Sequence, residues 1–173
     1  MKLFSVVGKK NSGKTTLVVT LAQEFTRRGK KVGTLKHGTH PANVDVEGTD
    51  TWRHFNEGRA ERVILESMGK RFLFQQVEET SNPIELAKQY MGGMDLVIAE
   101  GFTNTPVPKL EIFREEVHRE PHFHKEHSYR DQWIAMMTDT NREFPFPTFR
   151  FSDTAWLVTL CSILWDEALE IDG

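Results

Sequence analysis

Cysteine is almost missing from this chain. Cys161 is the only one in 173 residues, which excludes an internal disulfide and a zinc site built from several thiolates. It lies in the apolar run WLVTLCSILW, where a buried, inert thiol is expected rather than a nucleophile. Long apolar runs are also lacking. None approaches the roughly 18 residues that a membrane-spanning helix needs, and the few residues before Gly8 are too short for a signal-peptide core. The expected location is therefore the cytoplasm. A surplus of either charge is absent too: 22 Lys and Arg stand against 25 Asp and Glu. That balance gives no support for wholesale binding to nucleic acid or an acidic membrane. The local basic cluster RRGKK (Arg27 to Lys31) reads as the solvated end of a helix. Repeats, low-complexity segments and linkers are not found, so one domain over residues 1–173 is expected.

What is present is an alternation of strand and helix signals. KLFSVVG (Lys2 to Gly8) is a short β-branched and aromatic run ending in glycine, the pattern of a buried strand. TTLVVTLAQEFTRRG (Thr15 to Gly29) places Leu17, Val18, Leu21, Ala22 and Phe25 at helical spacing and stops at glycine. KVGTLKH (Lys31 to His37) returns as a strand. Strand, loop, helix, strand is a βαβ unit, which implies a parallel sheet. Residues 38–48 read as a long polar loop, and 49–60 as a short helix capped by Thr49 or Asp50. Two strands follow, Arg62 to Ser67 and Arg71 to Val77, joined by a Met-Gly-Lys turn. Asn82 and Pro83 open the next helix, and MDLVIAEGF (Met94 to Phe102) is another buried strand. PKLEIFR (Pro108 to Arg114) alternates apolar and polar residues and reads as a half-exposed strand. A charged, His-rich loop spans 115–130, and QWIAMMTD (Gln132 to Asp139) is a further strand. NREFPFPTFRFS reads as loop, and a closing helix begins at Ser152 or Asp153. The fold class expected is α/β.

GKKNSGKT, Gly8 to Thr15, matches G-x-x-x-x-G-K-[ST] in full, between a predicted strand and a predicted helix. Glycines let the backbone curl so that successive N–H groups face phosphate oxygens at the positive end of the helix. Lys14 reaches the β- and γ-phosphates, and the Thr15 hydroxyl can ligate Mg²⁺. The loop is expected to hold a phosphate.

Magnesium calls for a carboxylate at the end of a neighbouring strand. In LVIAEG that residue is Glu100, at the strand's C-terminal end, where open α/β sheets bind ligands; its plain alternative is a strand-end residue in solvent. Asp95, at the other end, reads as structural. A second acidic source is the loop with Asp45, Glu47 and Asp50, any of which could serve Mg²⁺ or orient a water. Asp50 doubles as a cap candidate. Arg53, one turn later, could reach a phosphate or pair with Asp50. His37 and His40 flank the same loop as possible polar contacts.

Several of these stretches together resemble one family. GKKNSGKTTL, GTLKHGTH, DVEGTDTWRHFNEGRA, DLVIAEGF and PKLEIFR are similar, in order, to the molybdopterin-guanine dinucleotide biosynthesis protein B family, often written MobB. TDTWRH and PKLEIFR are far more discriminating than the phosphate loop. The resemblance implies a GTP-binding P-loop protein, a P-loop NTPase-like three-layer fold with a mixed, mainly parallel sheet, and a homodimer with weak GTP hydrolysis. It also implies a partner: the molybdopterin guanylyltransferase that joins GMP to molybdopterin, with molybdopterin itself a possible ligand. Carried over by motif, Gly8, Lys9, Lys10, Asn11, Ser12, Gly13, Lys14, Thr15 and Thr16 would hold the phosphates. Asp50 and Glu100 would serve the magnesium side, with Thr15, and Arg53 would be a phosphate or interface contact. One departure is Thr103, where the family often has lysine after Glu-Gly-Phe. Asp139, in MTDTN, could accept from the N1–H and N2–H₂ edge of guanine; the Asn-Lys-x-Asp signature is absent, and a strand-end turn residue is its other reading.

Two rival functions remain open. A metallochaperone GTPase would use His118, His122, His124 and His127, with His122 and His124 on one face of an extended strand. A solvated polar loop is the plainer reading of that run. A small kinase would need lid arginines; Arg59, Arg62, Arg71 and Arg119 show no lid pattern. The main expectation is a protein that binds Mg-GTP and presents it, hydrolysing it slowly.

Overall fold

The structure, a computed structural model, describes residues 1–38, 44–78 and 81–172. His40 lies outside the described residues. In chain order the elements are β1 (Lys2–Val7), α1 (Lys14–Arg27), β2 (Val32–Lys36), α2 (Asp50–Asn56), β3 (Arg62–Ser67), β4 (Lys70–Gln75), α3 (Pro83–Tyr90), β5 (Leu96–Glu100), β6 (Lys109–Phe113), β7 (Trp133–Thr138), β8 (Thr148–Arg150), α4 (Trp156–Glu167) and β9 (Leu169–Glu170). They form two compact units: Met1–His37 with Ser81–Gly173, and Gly38–Thr80. No helix among the described residues is long and apolar enough to cross a membrane.

The first unit is built on a sheet in the order β2-β5-β1-β6-β7-β8, with every neighbouring pair parallel. Only β9 runs antiparallel, against Lys2 and Leu3 of β1, so the sheet is mixed and mainly parallel, as expected. On one face Phe4, Val6, Ile98, Leu110 and Met137 pack with Leu17, Leu21 and Phe25 of α1 and Leu160, Cys161 and Leu164 of α4. On the other, Leu3, Val97 and Ala99 pack with Ala87 of α3. Parallel strands covered on both faces give three layers. Asn82 accepts from the Ile84 and Glu85 amides, closing a capping box that starts α3 with Pro83 in its first turn. The Cys161 thiol is buried, and that burial pushes it up to about 11, the inert thiol expected. Asp95 accepts from the Lys31 amide at 2.8 Å, a structural role as read. In the RRGKK cluster, Arg27 and Arg28 both pair with Glu24.

Four local expectations need correction. Strand β6 is not half-exposed: all five residues are buried, because the strand lies between β1 and β7. The Lys109 ammonium donates to the carbonyls of Thr105 and, at 2.7 Å, Val107. Glu111 accepts three N–H groups, described below. The stretch after Asp139 holds a short strand, β8, where a loop was expected. Ala155, and not Ser152 or Asp153, occupies the N-cap of α4; Asp153 instead accepts from the Arg150 amide. The edge strand β9 closes the chain against β1 where only helix was expected.

The second unit holds α2 and the antiparallel hairpin β3–β4, paired from Arg62–Gln75 to Ser67–Lys70. Thr49, one of the two cap candidates, accepts from the Trp52 amide. Asp50 is the first helical residue.

Candidate functional site

The phosphate-loop motif sits where β1 hands over to α1, and its backbone has the conformations that glycine permits. Gly8 has φ +150° and Gly13 φ +99°, with Asn11 at +63° between them. A Cβ on Gly8 would collide with the Ile112 carbonyl and lie 2.8 Å from Ser12 Oγ, so only glycine fits beside β6. Gly13 caps α1 without any side-chain hydrogen bond. The helix therefore opens with N–H groups that no cap residue uses, the arrangement that binds anions. Ser12 Oγ is buried and has no partner, a polar atom suited to a ligand oxygen.

Strand pairing brings the predicted partners together. Val6 of β1 pairs with Glu100 of β5, so both strands end beside the loop. Thr15 Oγ1 lies 3.0 Å from each oxygen of Glu100, and Lys36 Nζ lies 3.1 Å from one of them. Glu100 is buried. A hydroxyl and a carboxylate are hard oxygen donors of the kind Mg²⁺ takes, so these residues fit that ion. Lys14 Nζ donates to the Lys9 carbonyl at 2.7 Å. Burial lowers the Lys14 pKa, while the Glu100 charge raises it. Beyond Glu100 the chain turns through Gly101 (φ +95°) and Phe102 (φ +59°). Phe102 stacks against His37 at 5.1 Å between ring centroids, so His37 packs on an aromatic ring beside the strand end.

The segment 115–130 is the loop expected, irregular up to a short helical turn that begins at Arg130, and His122 and His124 do not lie on an extended strand. Glu111 of β6 accepts from the amides of His122 (2.6 Å) and Phe123 (2.9 Å) and from Trp133 Nε1 (2.8 Å). Burial raises the Glu111 pKa against the pull of those three donors. His118 Nε2 lies 2.6 Å from the Lys10 carbonyl. The His122 ring is half-buried near Lys9 and Lys14, and burial is the first cause of its lowered pKa. His127 accepts from the Tyr129 amide on Nδ1 and meets Trp133 edge to face, 4.7 Å between ring centroids. Among the described residues no group of three or more His, Cys, Asp or Glu could hold a metal ion. Glu111 was missed as a site residue; a carboxylate inside PKLEIFR was its only sequence signal.

Asp139 lies just past β7 and accepts from the Glu115 amide at 2.7 Å. Asp50 and Arg53 lie on α2 in the second unit. There Arg53 pairs with Glu57 at 2.9 Å rather than with Asp50. Asp45 accepts from the Val46 amide and the Thr49 and Thr51 hydroxyls, which ties it to the start of α2.

The family model for molybdopterin guanine dinucleotide synthesis protein B matches residues 3–139. A molybdopterin-guanine dinucleotide biosynthesis adapter protein from Haemophilus influenzae is 37% identical over 119 residues, 66% of this chain and 65% of that protein. A putative adapter protein of the same description from Methanocaldococcus jannaschii is 31% identical over 120 residues, 67% of this chain and 49% of that protein. The matches thus span less than two thirds of each of these relatives. The crystal structure of Bacillus subtilis MobB superposes with a TM-score of 0.71 at 23% identity, covering 94% of this chain and 98% of that one, and shares the fold.

Proposed function

The chain belongs to the molybdopterin guanine dinucleotide synthesis protein B family, and from that premise we propose that it is a GTP-binding adapter in molybdenum cofactor biosynthesis. It assists a partner nucleotidyltransferase that attaches GMP to molybdopterin. The observation that carries this reading is the Thr15 hydroxyl placed 3.0 Å from both oxygens of Glu100 beneath an uncapped helix N-terminus. A nucleoside triphosphate needs these parts: amides for its phosphates, Lys14 for their charge, and two oxygen donors for Mg²⁺. When bound, Mg²⁺ would supply positive charge against the phosphates, and Thr15 and Glu100 are the residues that would hold it.

Hydrolysis is proposed to be slow, as for a P-loop protein that mainly presents its nucleotide. Asp50 and Arg53 stay proposed contacts on the strength of their motif alone. Asp139 is the proposed guanine reader, with one oxygen already accepting from the Glu115 amide. The chain is proposed to work in the cytoplasm as a homodimer.

The test is competitive titration of GTP, ATP and GDP with and without Mg²⁺, on wild type and Lys14→Ala. Magnesium-dependent preference for GTP, weakened at least about a hundredfold in Lys14→Ala, is expected; charge-assisted contacts to several phosphate oxygens are worth that much. Equal or tighter ATP binding would sink the guanine assignment and bring the kinase reading forward. The same titration on Asp139→Asn should narrow the gap between GTP and ATP if Asp139 reads the base.

A further inference from the structure

A phosphate loop works only if its amides face the ligand. Across each peptide plane the C=O and the following N–H point in opposite directions. Whatever holds the Lys10 carbonyl on one side therefore turns the Asn11 amide to the other. His118 Nε2 stands 2.6 Å from the Lys10 carbonyl. A carbonyl only accepts, so His118 must carry its proton on Nε2.

We propose that His118 is a positioning residue of the phosphate loop, holding the Lys10 carbonyl so that the neighbouring amide stays aimed at nucleotide phosphate. The segment that carries it is fastened independently of the ring. Glu111 binds its backbone at His122 and Phe123, and Asp139 binds it at Glu115. Arg142 reaches Glu115 at 2.7 Å and Glu120 at 3.0 Å. The Phe123 ring packs edge-on against Phe146 and Trp133. Removing the imidazole should therefore leave the segment in place and release only the loop.

The inference rests on the reading that this loop binds a nucleoside triphosphate. Its test is Mg-GTP titration of the full chain as wild type, His118→Ala, His118→Gln, and Lys14→Ala, with thermal melting of each without nucleotide. His118→Ala should bind about fivefold more weakly, one lost hydrogen bond's worth, while melting as wild type does. His118→Gln keeps a side-chain N–H donor and should bind more tightly than His118→Ala. Nitrogen chemical shifts should place the His118 proton on Nε2. Undiminished binding in His118→Ala, with binding weakened in Lys14→Ala, would overturn this inference and leave the nucleotide reading standing; so would a His118 ring protonated on Nδ1 alone. Absence of nucleotide binding in wild type would overturn both.

Discussion

Strand β6 reads KLEIF, and the hairpin strands β3 and β4 read RVILES and KRFLFQ. All three mix apolar and polar residues at short spacing, yet β6 is buried at every position while the hairpin buries only Val63. Ile64 is 58% exposed and Phe72 42%. Neighbours make the difference. β6 has a parallel strand on either side and helices packed over its face at Leu110 and Ile112. β3 and β4 have only each other in their sheet. Alternation tells which residues share a face; it does not tell whether anything covers that face. What β6 gains from its cover is a place for polar groups whose partners are fixed. Through Glu111 it holds the segment that reaches the phosphate loop, whereas the hairpin holds apolar residues in water.

The strongest way to break this contrast is to empty the polar pocket of β6. Glu111→Ala leaves the His122 and Phe123 amides and the Trp133 indole N–H without their acceptor. A buried donor left unpaired costs about 1–3 kcal/mol. The expected loss is therefore about 3 kcal/mol or more, a fall of roughly 6–12 °C in melting temperature for a chain of this size. Calorimetry checks it. A change under about 1 kcal/mol would mean that the buried carboxylate does not organise the segment.

Lys109 sharpens the same contrast with an effect that appears only as pH rises. Burial pushes its ammonium down to about 8, below the roughly 10.4 of an unfolded lysine. Between those values the unfolded chain still binds a proton that the folded chain has released. Unfolding free energy should therefore rise with pH from about 8 to about 10.4 and be indifferent to this group below 8. Urea midpoints across pH 7.5 to 10.5 measure the rise, and Lys109→Met should remove it. Equal slopes in both proteins would show that the ammonium carries no burial cost.

The βαβ start, the phosphate loop and Glu100 were legible because their physics is local. Helical spacing from Leu17 to Phe25 and an apolar run ending in a carboxylate each fit within a few residues. The burial of β6 was not legible, since it depends on β7, twenty residues further on. β8 is three residues long behind two prolines, and β9 only two residues long; neither is long enough to show a period. The meeting of His118 with Lys10 joins residues 108 apart. A His-rich run with no partner in view reads as metal or solvent, and only the register of β6 against β1 and β7 brings it to the loop.

The smallest expected effect tests the other half of the contrast. If the hairpin face that carries Ile64 and Leu73 meets only water, Ile64→Ser should change stability by less than about 0.5 kcal/mol. Its melting temperature should not depend on protein concentration. The proposed homodimer makes a competing demand. A second copy covering that face would make the wild-type melting temperature rise with concentration, and Ile64→Ser would cost about 1–3 kcal/mol through lost apolar burial. Light scattering across the same concentrations separates the two, because only in the second case does the substitution also lower the mass in solution. A dimer whose mass and stability ignore Ile64→Ser would place its interface elsewhere. The hairpin would then stand as an apolar face that its own chain leaves in water, and the contrast with β6 would be complete.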